Sequence, residues 1–115
     1  MGECDLSWIP HFLHRMDYMV EQREKSAGLK MKPSDYWYRQ CYATFQHDEL
    51  GMELIHHLGP DNVMWGNDYP HPDGVWPESR EILEQQTQGL NAEERRKVTH
   101  DNAARVYKFA AHLDD

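Results

Sequence analysis

The sequence feature that most constrains the fold is the stretch of residues 63–72. It begins as a short apolar run, residues 63–65, which lies between a Pro-Asp-Asn turn signal and Gly66. A run of this length, bounded by turn residues, is typical of a buried β-strand. Two prolines follow that lack a backbone N–H and fix their own φ, so Asp68 and His71 are expected on a stiff turn. A carboxylate there suits a metal or acid/base site, although spacing alone favours an ordinary Asx-turn.

Strand patterns alternate with helical patterns along the chain. Residues 2–6 are interpreted as the end of a strand, residues 41–45 as a second strand and residues 63–66 as a third. Strands that alternate with helices indicate parallel βαβ units, hence an α/β fold of roughly three parallel strands with flanking helices. A length of 115 residues predicts one domain, residues 1–115. So thin a sheet would leave two open edges, which invite pairing with other chains.

The first helix is predicted to begin at Ser7 as N-cap, with Pro10 in its first turn, and to end near Gly28. Its apolar stripe comprises Trp8, Phe12, Leu13, Met16, Met19 and Val20. A short helix around residues 36–38 is expected next. Residues 47–49 then open a further helix that ends at Gly59 and buries Leu50, Leu54, Ile55 and Leu58.

The carboxyl-terminal part is predicted to be helical. Residues 76–78 are expected to begin a helix, with Pro77 in its first turn. Asn91 and Glu94 have the spacing of a capping box for the next helix. Asn102 is interpreted as the N-cap of the last helix.

Charge and cysteine content exclude several classes of function. Lys and Arg total 12 against 20 Asp and Glu, a net charge of −8, which argues against nucleic acid or an anionic membrane as a partner. Cys4 and Cys41 form no CxxC pattern, so a reducing cytoplasm is the expected location. Neither a leader nor a long apolar run is present, so neither export nor membrane spanning is predicted.

Several segments together resemble the amidohydrolase-related family of metal-dependent hydrolases, which includes the aminocarboxymuconate semialdehyde decarboxylase relatives. The matching segments are Trp8-Ile9-Pro10, Arg15-Met16-Asp17, residues 61–72, Trp76-Pro77-Glu78-Ser79-Arg80-Glu81 and Asn102-Ala103-Ala104-Arg105-Val106-Tyr107. The resemblance implies a (β/α)8 TIM barrel, of which this chain would form about the last third, with residues 63–66 as the eighth strand. In such barrels the active site lies at the carboxyl ends of the strands.

The resemblance also implies roles for individual residues. Asp68 corresponds to the last-strand aspartate that binds a divalent metal, expected to be zinc, and handles the proton of its water. His71 would face the substrate at the same end of the barrel. Glu3 and His47, at the same face, are assigned to substrate binding. The implied reaction is metal-assisted hydrolysis, or non-oxidative decarboxylation, of a small-molecule substrate.

Other parts of the family pattern are missing from this sequence. The first-strand His-x-His or Glu-x-His pair and the fifth-strand histidine have no counterpart, and Glu3-Cys4-Asp5 stands where the decarboxylase relatives carry a histidine. A single aspartate does not hold zinc, which takes three or four protein ligands. The chain alone is therefore expected to bind metal poorly. The complementary strands would have to come from a longer parent chain, from a complementing polypeptide, or from another copy of the chain in a homo-oligomer.

Two alternatives remain open. The chain could be a non-catalytic α/β module that associates through its sheet edges, or Asp68, His71 and Glu3 could form a small site of their own. The remaining candidates are interpreted as structural or solvent-exposed: His11 with His14, His56 with His57, the aromatic cluster at residues 36–38 and the two cysteines.

Overall fold

The computed structural model describes residues 1–23 and 28–109. Its centre is a parallel pair of strands, β1 (Ala43–Phe45) and β2 (Val63–Trp65), with Thr44 opposite Met64. Seven α-helical segments, introduced below, surround this pair in the described part of the chain. The predicted α/β fold and the parallel orientation of these two strands are confirmed.

The segment before the first helix lies along the free side of β1. The Met1 amino group donates to the Tyr42 carbonyl at 2.7 Å, and the Thr44 N–H donates to the Met1 carbonyl at 3.0 Å. β2 occupies the other side of β1, since the Gly66 N–H donates to the Phe45 carbonyl. The segment therefore runs where the first predicted strand was expected, although these two backbone bonds do not make it a regular strand.

Helix α1 (Ile9–Gln22) has the predicted proline in its first turn, but Ser7 is not its N-cap. No side chain caps this helix; instead the buried Asp48 carboxylate accepts the N–H groups of Leu6 and Ser7 at 2.6 and 2.8 Å. The predicted end near Gly28 lies beyond residues 24–27, which are outside the described part, and α1 has already ended at Gln22.

The predicted apolar stripe of α1 is only partly buried. Of its members, Leu13 packs into the core, whereas Trp8 and Phe12 are 42% and 49% exposed. Ile9, which the predicted stripe did not include, also packs into the core. The described part of the chain therefore covers only some of the apolar side chains in the stripe.

Helix α2 (Pro33–Gln40) packs beside α1 and includes the short helix that was expected around residues 36–38.

Helices α3 (Glu49–Glu53) and α4 (Ile55–Leu58) form the predicted helix after β1, with a break at Leu54. Asp48 caps α3 as expected, since its carboxylate accepts the Gly51 N–H at 2.8 Å. Leu50 was predicted to be buried but is 56% exposed, because the helix turns Gly51 and Met52 toward the core instead. Gly59 ends α4 in a left-handed conformation, φ +83°, as predicted.

The carboxyl-terminal helices are α5 (Ser79–Gln86), α6 (Ala92–Arg96) and α7 (Asn102–Tyr107). Helix α5 starts two residues after Pro77, so the predicted start at residues 76–78 is slightly early. The Asn91 capping box of α6 is confirmed. A π-helical turn, Lys97–Asp101, joins α6 to α7 without a break.

Asn102 is therefore not an N-cap, and that prediction is wrong. It lies inside a continuous helical segment and is fully buried. Its Nδ2 donates to the carbonyl oxygens of Pro60 and Val63 at 2.7 and 2.8 Å. The side chain thus ties the last helix to the start of β2.

The core lies between the helices and one face of the sheet. Its buried members are Leu6, Ile9, Leu13, Trp37, Ala43, Phe45, Met52, Ile55, Leu58, Val63 and Val98. Trp37 is the buried member of the aromatic cluster and donates from Nε1 to the Leu58 carbonyl at 2.6 Å, which confirms its structural interpretation.

None of the described helices combines the length and the apolar character that crossing a bilayer requires.

Candidate metal centre

The candidate site lies where the carboxyl ends of the parallel segments meet. Asp68 follows β2 by three residues, Gln46 directly follows β1, and Glu3 follows the segment that pairs with β1. Because all three segments run in the same direction, their carboxyl ends share one edge of the sheet. Ligand sites in α/β folds form at this edge.

A compact loop positions Asp68. It is closed by hydrogen bonds from the Val75 N–H to the Asn67 carbonyl at 3.0 Å and from the His71 N–H to the Asp68 carbonyl at 2.8 Å. A Cβ on Gly74 would lie 2.8 to 3.0 Å from three backbone oxygens of this loop, so only glycine fits there. Asp68 itself is left-handed, φ +55°, which aspartate tolerates better than most residues.

The structure brings together Glu3, Asp68 and His71. One possible ligand atom from each residue lies within 4.8 Å of those of the other two, the only such trio among the described residues. His71 Nδ1 lies 2.9 Å from Asp68 Oδ1. The Asp68 side chain is 9% exposed, whereas that of His71 is 61% exposed. The aspartate is therefore the interior member of the group and the histidine its solvent-facing member.

Two opposing effects act on the pKa of Asp68. Partial burial raises it, but the polar side chains of Glu3, His71 and Gln46 beside the carboxyl outweigh burial, so the pKa is lowered from its usual value. Asp68 is consequently ionised at neutral pH. An ionised carboxylate of low basicity is suited to bind a cation.

The donor set fits a divalent cation. Two carboxylates and an imidazole supply three protein ligands, the number found in catalytic zinc sites that keep an open position. Carboxylates also suit Mg²⁺ and Mn²⁺, while imidazole favours zinc and its neighbours, so the set does not select one metal.

His47 does not belong to this group. It lies beside Glu49, with Nε2 3.8 Å from Oε1, and its side chain is 58% exposed. It lines a separate cavity of about 380 Å³, whose walls include Pro72 and Asp73 from the loop after β2. The predicted substrate-binding residue thus lies beside the loop that carries Asp68 and His71, while Glu3, predicted for the same role, lies among the candidate metal ligands.

The sequence analysis missed Gln46. Gln46 is 7% exposed, and its side chain lies beside the Asp68 carboxyl and helps to lower the pKa of that group. Gln86 holds the Gln46 backbone by donating from Nε2 to its carbonyl at 3.0 Å. The signal that could have found it is its place directly after a strand, at the edge where Asp68 also falls.

The remaining sequence candidates lie elsewhere. His11, His14, His56 and His57 are exposed, and none joins a group of three possible ligands in the part of the chain that the structure describes. Burial raises the pKa of the Cys4 thiol, which disfavours the thiolate that a nucleophile requires. Cys41 is partly buried and packs against the core.

Comparison with known proteins identifies the family of this chain. A search of curated proteins finds no match. The family model described as Amidohydrolase matches residues 4–109, which include β1, β2, Asp68, His71 and the helices as far as α7. This match covers nearly the whole chain, so the protein is a member of the amidohydrolase family.

Proposed function

We propose that this chain supplies the last part of an amidohydrolase barrel, about its final third, and contributes Asp68 to a metal site. The observation that carries the proposal is the meeting of Asp68, Glu3 and His71 at the carboxyl ends of parallel segments. In a (β/α)8 barrel this is the catalytic end. The family match supports a hydrolase-type function, and amidohydrolases generally bind divalent metals.

The proposed reaction is hydrolysis or non-oxidative decarboxylation of a small carbonyl compound, as in the aminocarboxymuconate semialdehyde decarboxylase relatives. A divalent ion, zinc in our proposal, would acidify water and polarise a carbonyl oxygen. Asp68, Glu3 and His71 are the residues of this chain that would hold it. When Nδ1–H of His71 donates to Asp68, Nε2 is the ring atom left to bind the ion.

The catalytic form requires more protein around this group. The His71 side chain is 61% exposed, so the described residues do not exclude water from the site. We propose that the missing wall and further ligands come from a longer parent chain, from a complementing polypeptide, or from another copy of the chain in a homo-oligomer. Exclusion of water would strengthen every electrostatic interaction within the site.

A second candidate function is a non-catalytic module that associates through its open surfaces. The observation that favours it is an apolar groove of about 750 Å³ between α1, α2 and the sheet. None of the described residues that line this groove carries a charged side chain. In this case the assembly would persist after chelation of metal, and substitution of Asp68 would change the stability of the protein but no other measured property.

Metal titration distinguishes the two. We expect the purified chain to bind Zn²⁺ or Mn²⁺ weakly, and Asp68→Asn to lower the affinity by at least about tenfold, since even indirect partners of ligands cost that much. Asp73→Asn is the matched control, because Asp73 lies in the same loop but outside the group of three. Isothermal titration calorimetry measures both. Unchanged affinity in Asp68→Asn, or an equal loss in Asp73→Asn, would contradict the metal role of Asp68.

A further inference from the structure

Glu3 reaches the candidate metal centre from a different segment than Asp68 and His71 do. The loop after β2 fixes the latter two residues, because its own hydrogen bonds and Gly74 close it. Glu3 is exposed, so packing does little to hold its side chain. Its backbone therefore decides where the carboxylate can reach, and whatever fixes that backbone also fixes the third possible ligand.

The backbone of Glu3 is in an unusual conformation. Its φ is +53°, in the left-handed region, and Asp5, two residues later, has φ +50°. Left-handed backbone is uncommon for residues with a side chain, and glutamate lacks the short polar side chain by which asparagine and aspartate stabilise it. The surroundings must therefore hold Glu3 in this conformation.

Thr44, in the middle of β1, makes two hydrogen bonds with the segment that carries Glu3. Its N–H donates to the Met1 carbonyl at 3.0 Å, as in a parallel ladder. In a continued ladder the Glu3 N–H would donate to the Thr44 carbonyl. It donates instead to the side-chain oxygen of Thr44, Oγ1, at 2.9 Å. The hydroxyl thus replaces the ladder acceptor at the point where the segment leaves β1 and turns left-handed.

Asp48 holds the other end of this left-handed turn. Its carboxylate accepts the N–H groups of Leu6 and Ser7 at 2.6 and 2.8 Å. Both ends of the turn are therefore bound near the carboxyl end of β1. Asp48 is buried and supports the start of α1, whereas Thr44 is half-buried and binds the backbone of Glu3 directly. Thr44 is thus the position where the placement of Glu3 can be changed with the smaller effect on the fold.

We propose that Thr44 is a positioning residue for the metal centre: its hydroxyl holds the left-handed backbone of Glu3 and so keeps the Glu3 carboxylate beside Asp68 and His71. The inference rests on the proposed function, because it assumes that these three residues bind a cation. Valine keeps the β-branched shape of threonine without its hydroxyl, while serine keeps the hydroxyl. The two substitutions therefore separate side-chain shape from hydrogen bonding.

Calorimetric titration of the purified chain with Zn²⁺ tests the proposal. Thr44→Val should lower the affinity by about tenfold, as loss of a residue that orients a metal ligand does, and Thr44→Ser should leave it nearly unchanged. When Glu3→Ala has already removed the third carboxylate, Thr44→Val should have no further effect, which a general loss of structure would not reproduce. Thr99→Val is the matched control, because it also removes a hydroxyl hydrogen bond, from Oγ1 to the Arg95 carbonyl at 2.8 Å, in the turn between α6 and α7.

Amide hydrogen exchange, followed by NMR, measures the same contact without metal. The Glu3 N–H should exchange at least about threefold faster after Thr44→Val than after Thr44→Ser, because only the serine variant keeps its acceptor. Equal exchange in the two variants would overturn the proposal. So would an unchanged zinc affinity in Thr44→Val, an equal loss in Thr44→Ser or Thr99→Val, or an undiminished loss in the Glu3→Ala background.

Asp68→Asn separates this proposal from the proposed function. A loss of zinc affinity in Asp68→Asn without one in Thr44→Val would refute the role of Thr44 alone. Unchanged affinity in both variants would refute the metal site, and the positioning role with it. A loss in both, cancelled for Thr44→Val by Glu3→Ala, is the result that we expect.

Discussion

Asn102 offers the sharpest test of how the last helix is fixed to the sheet. Its Nδ2 donates to two carbonyl oxygens, that of Val63 in a buried hydrogen bond and that of Pro60 in a partly buried one. As an N-cap, the role expected from sequence, it would instead accept a hydrogen bond through Oδ1, and aspartate would serve equally well. Replacement of Asn102 by Asp therefore separates the two roles, because it keeps an acceptor and removes the donor.

The expected loss can be worked out from the two bonds. A buried carbonyl left without its donor costs about 1–3 kcal/mol. Carbonyl oxygens tolerate the loss of a hydrogen-bond donor better than N–H groups tolerate the loss of an acceptor. We therefore expect Asn102→Ala to lower the free energy of unfolding by about 3 kcal/mol. Asn102→Asp should cost at least as much, since it also places a negative charge against carbonyl oxygens. With a urea m-value of about 2 kcal/mol/M, the unfolding midpoint should fall by about 1.5 M.

Urea unfolding followed by circular dichroism measures this shift. The matched control is Asn91→Asp, because Asn91 is a true N-cap whose Oδ1 accepts the Glu94 N–H at 2.9 Å. That variant should change stability by only a few tenths of a kcal/mol, since aspartate caps as well as asparagine. If Asn102→Asp lowered the stability no more than Asn91→Asp does, the hydrogen bonds from Asn102 would not be what fixes the last helix to β2.

Three further predictions concern other positions. Asp48→Ala should lower the free energy of unfolding by about 3 kcal/mol or more, measured in urea, because three backbone N–H groups lose a charged acceptor; a loss typical of a single surface cap would contradict this. Gly74→Ala should weaken metal binding in calorimetry, because its Cβ would push against the backbone oxygens of Asp68 and two neighbours in the loop; unchanged affinity would show that the loop adapts freely. The hydrogen bond of His100 lowers the pKa of Asp101; desolvation opposes this, and the hydrogen bond and charge of Arg96 add to the lowering. The contribution of Asp101 to stability is therefore present above pH 3.8 and is lost as the pH falls through its folded value. The stability of Asp101→Asn should accordingly depend less on pH below 4 than that of the original chain, and identical pH profiles would rule this out.

Local pattern was enough to predict the elements whose signals are local. The run at residues 63–65 is a strand, Asp48 and Asn91 cap helices, and Gly59 ends one. In each case a few neighbouring residues decide the conformation, through turn residues, side-chain acceptors or a positive φ. The family resemblance carried by residues 61–72 belongs to the same class, and the family match bears it out.

Predictions that depended on distant partners were less successful. Ser7 and Asn102 have the residue type and spacing of N-caps, but Asp48 takes the N–H groups beside Ser7, and Asn102 faces β2. Leu50 and Phe12 have the spacing of a buried face yet are exposed, because helical periodicity states which residues share a face and not what covers it.

The sequence by itself determined the α/β class, the parallel strands and most helix positions. It also identified Asp68 as the main candidate residue for a site. The sequence left a joint site of Asp68, His71 and Glu3 as one open alternative. Only the tertiary structure brought these three together, placed Gln46 beside Asp68, and placed His47 in a cavity beside the loop rather than in the group of three. Glu3 and Asp68 are far apart along the chain, and no local propensity links them. Their proximity follows from parallel segments whose carboxyl ends reach the same edge of the sheet, which is a property of strand pairing rather than of any one stretch of sequence.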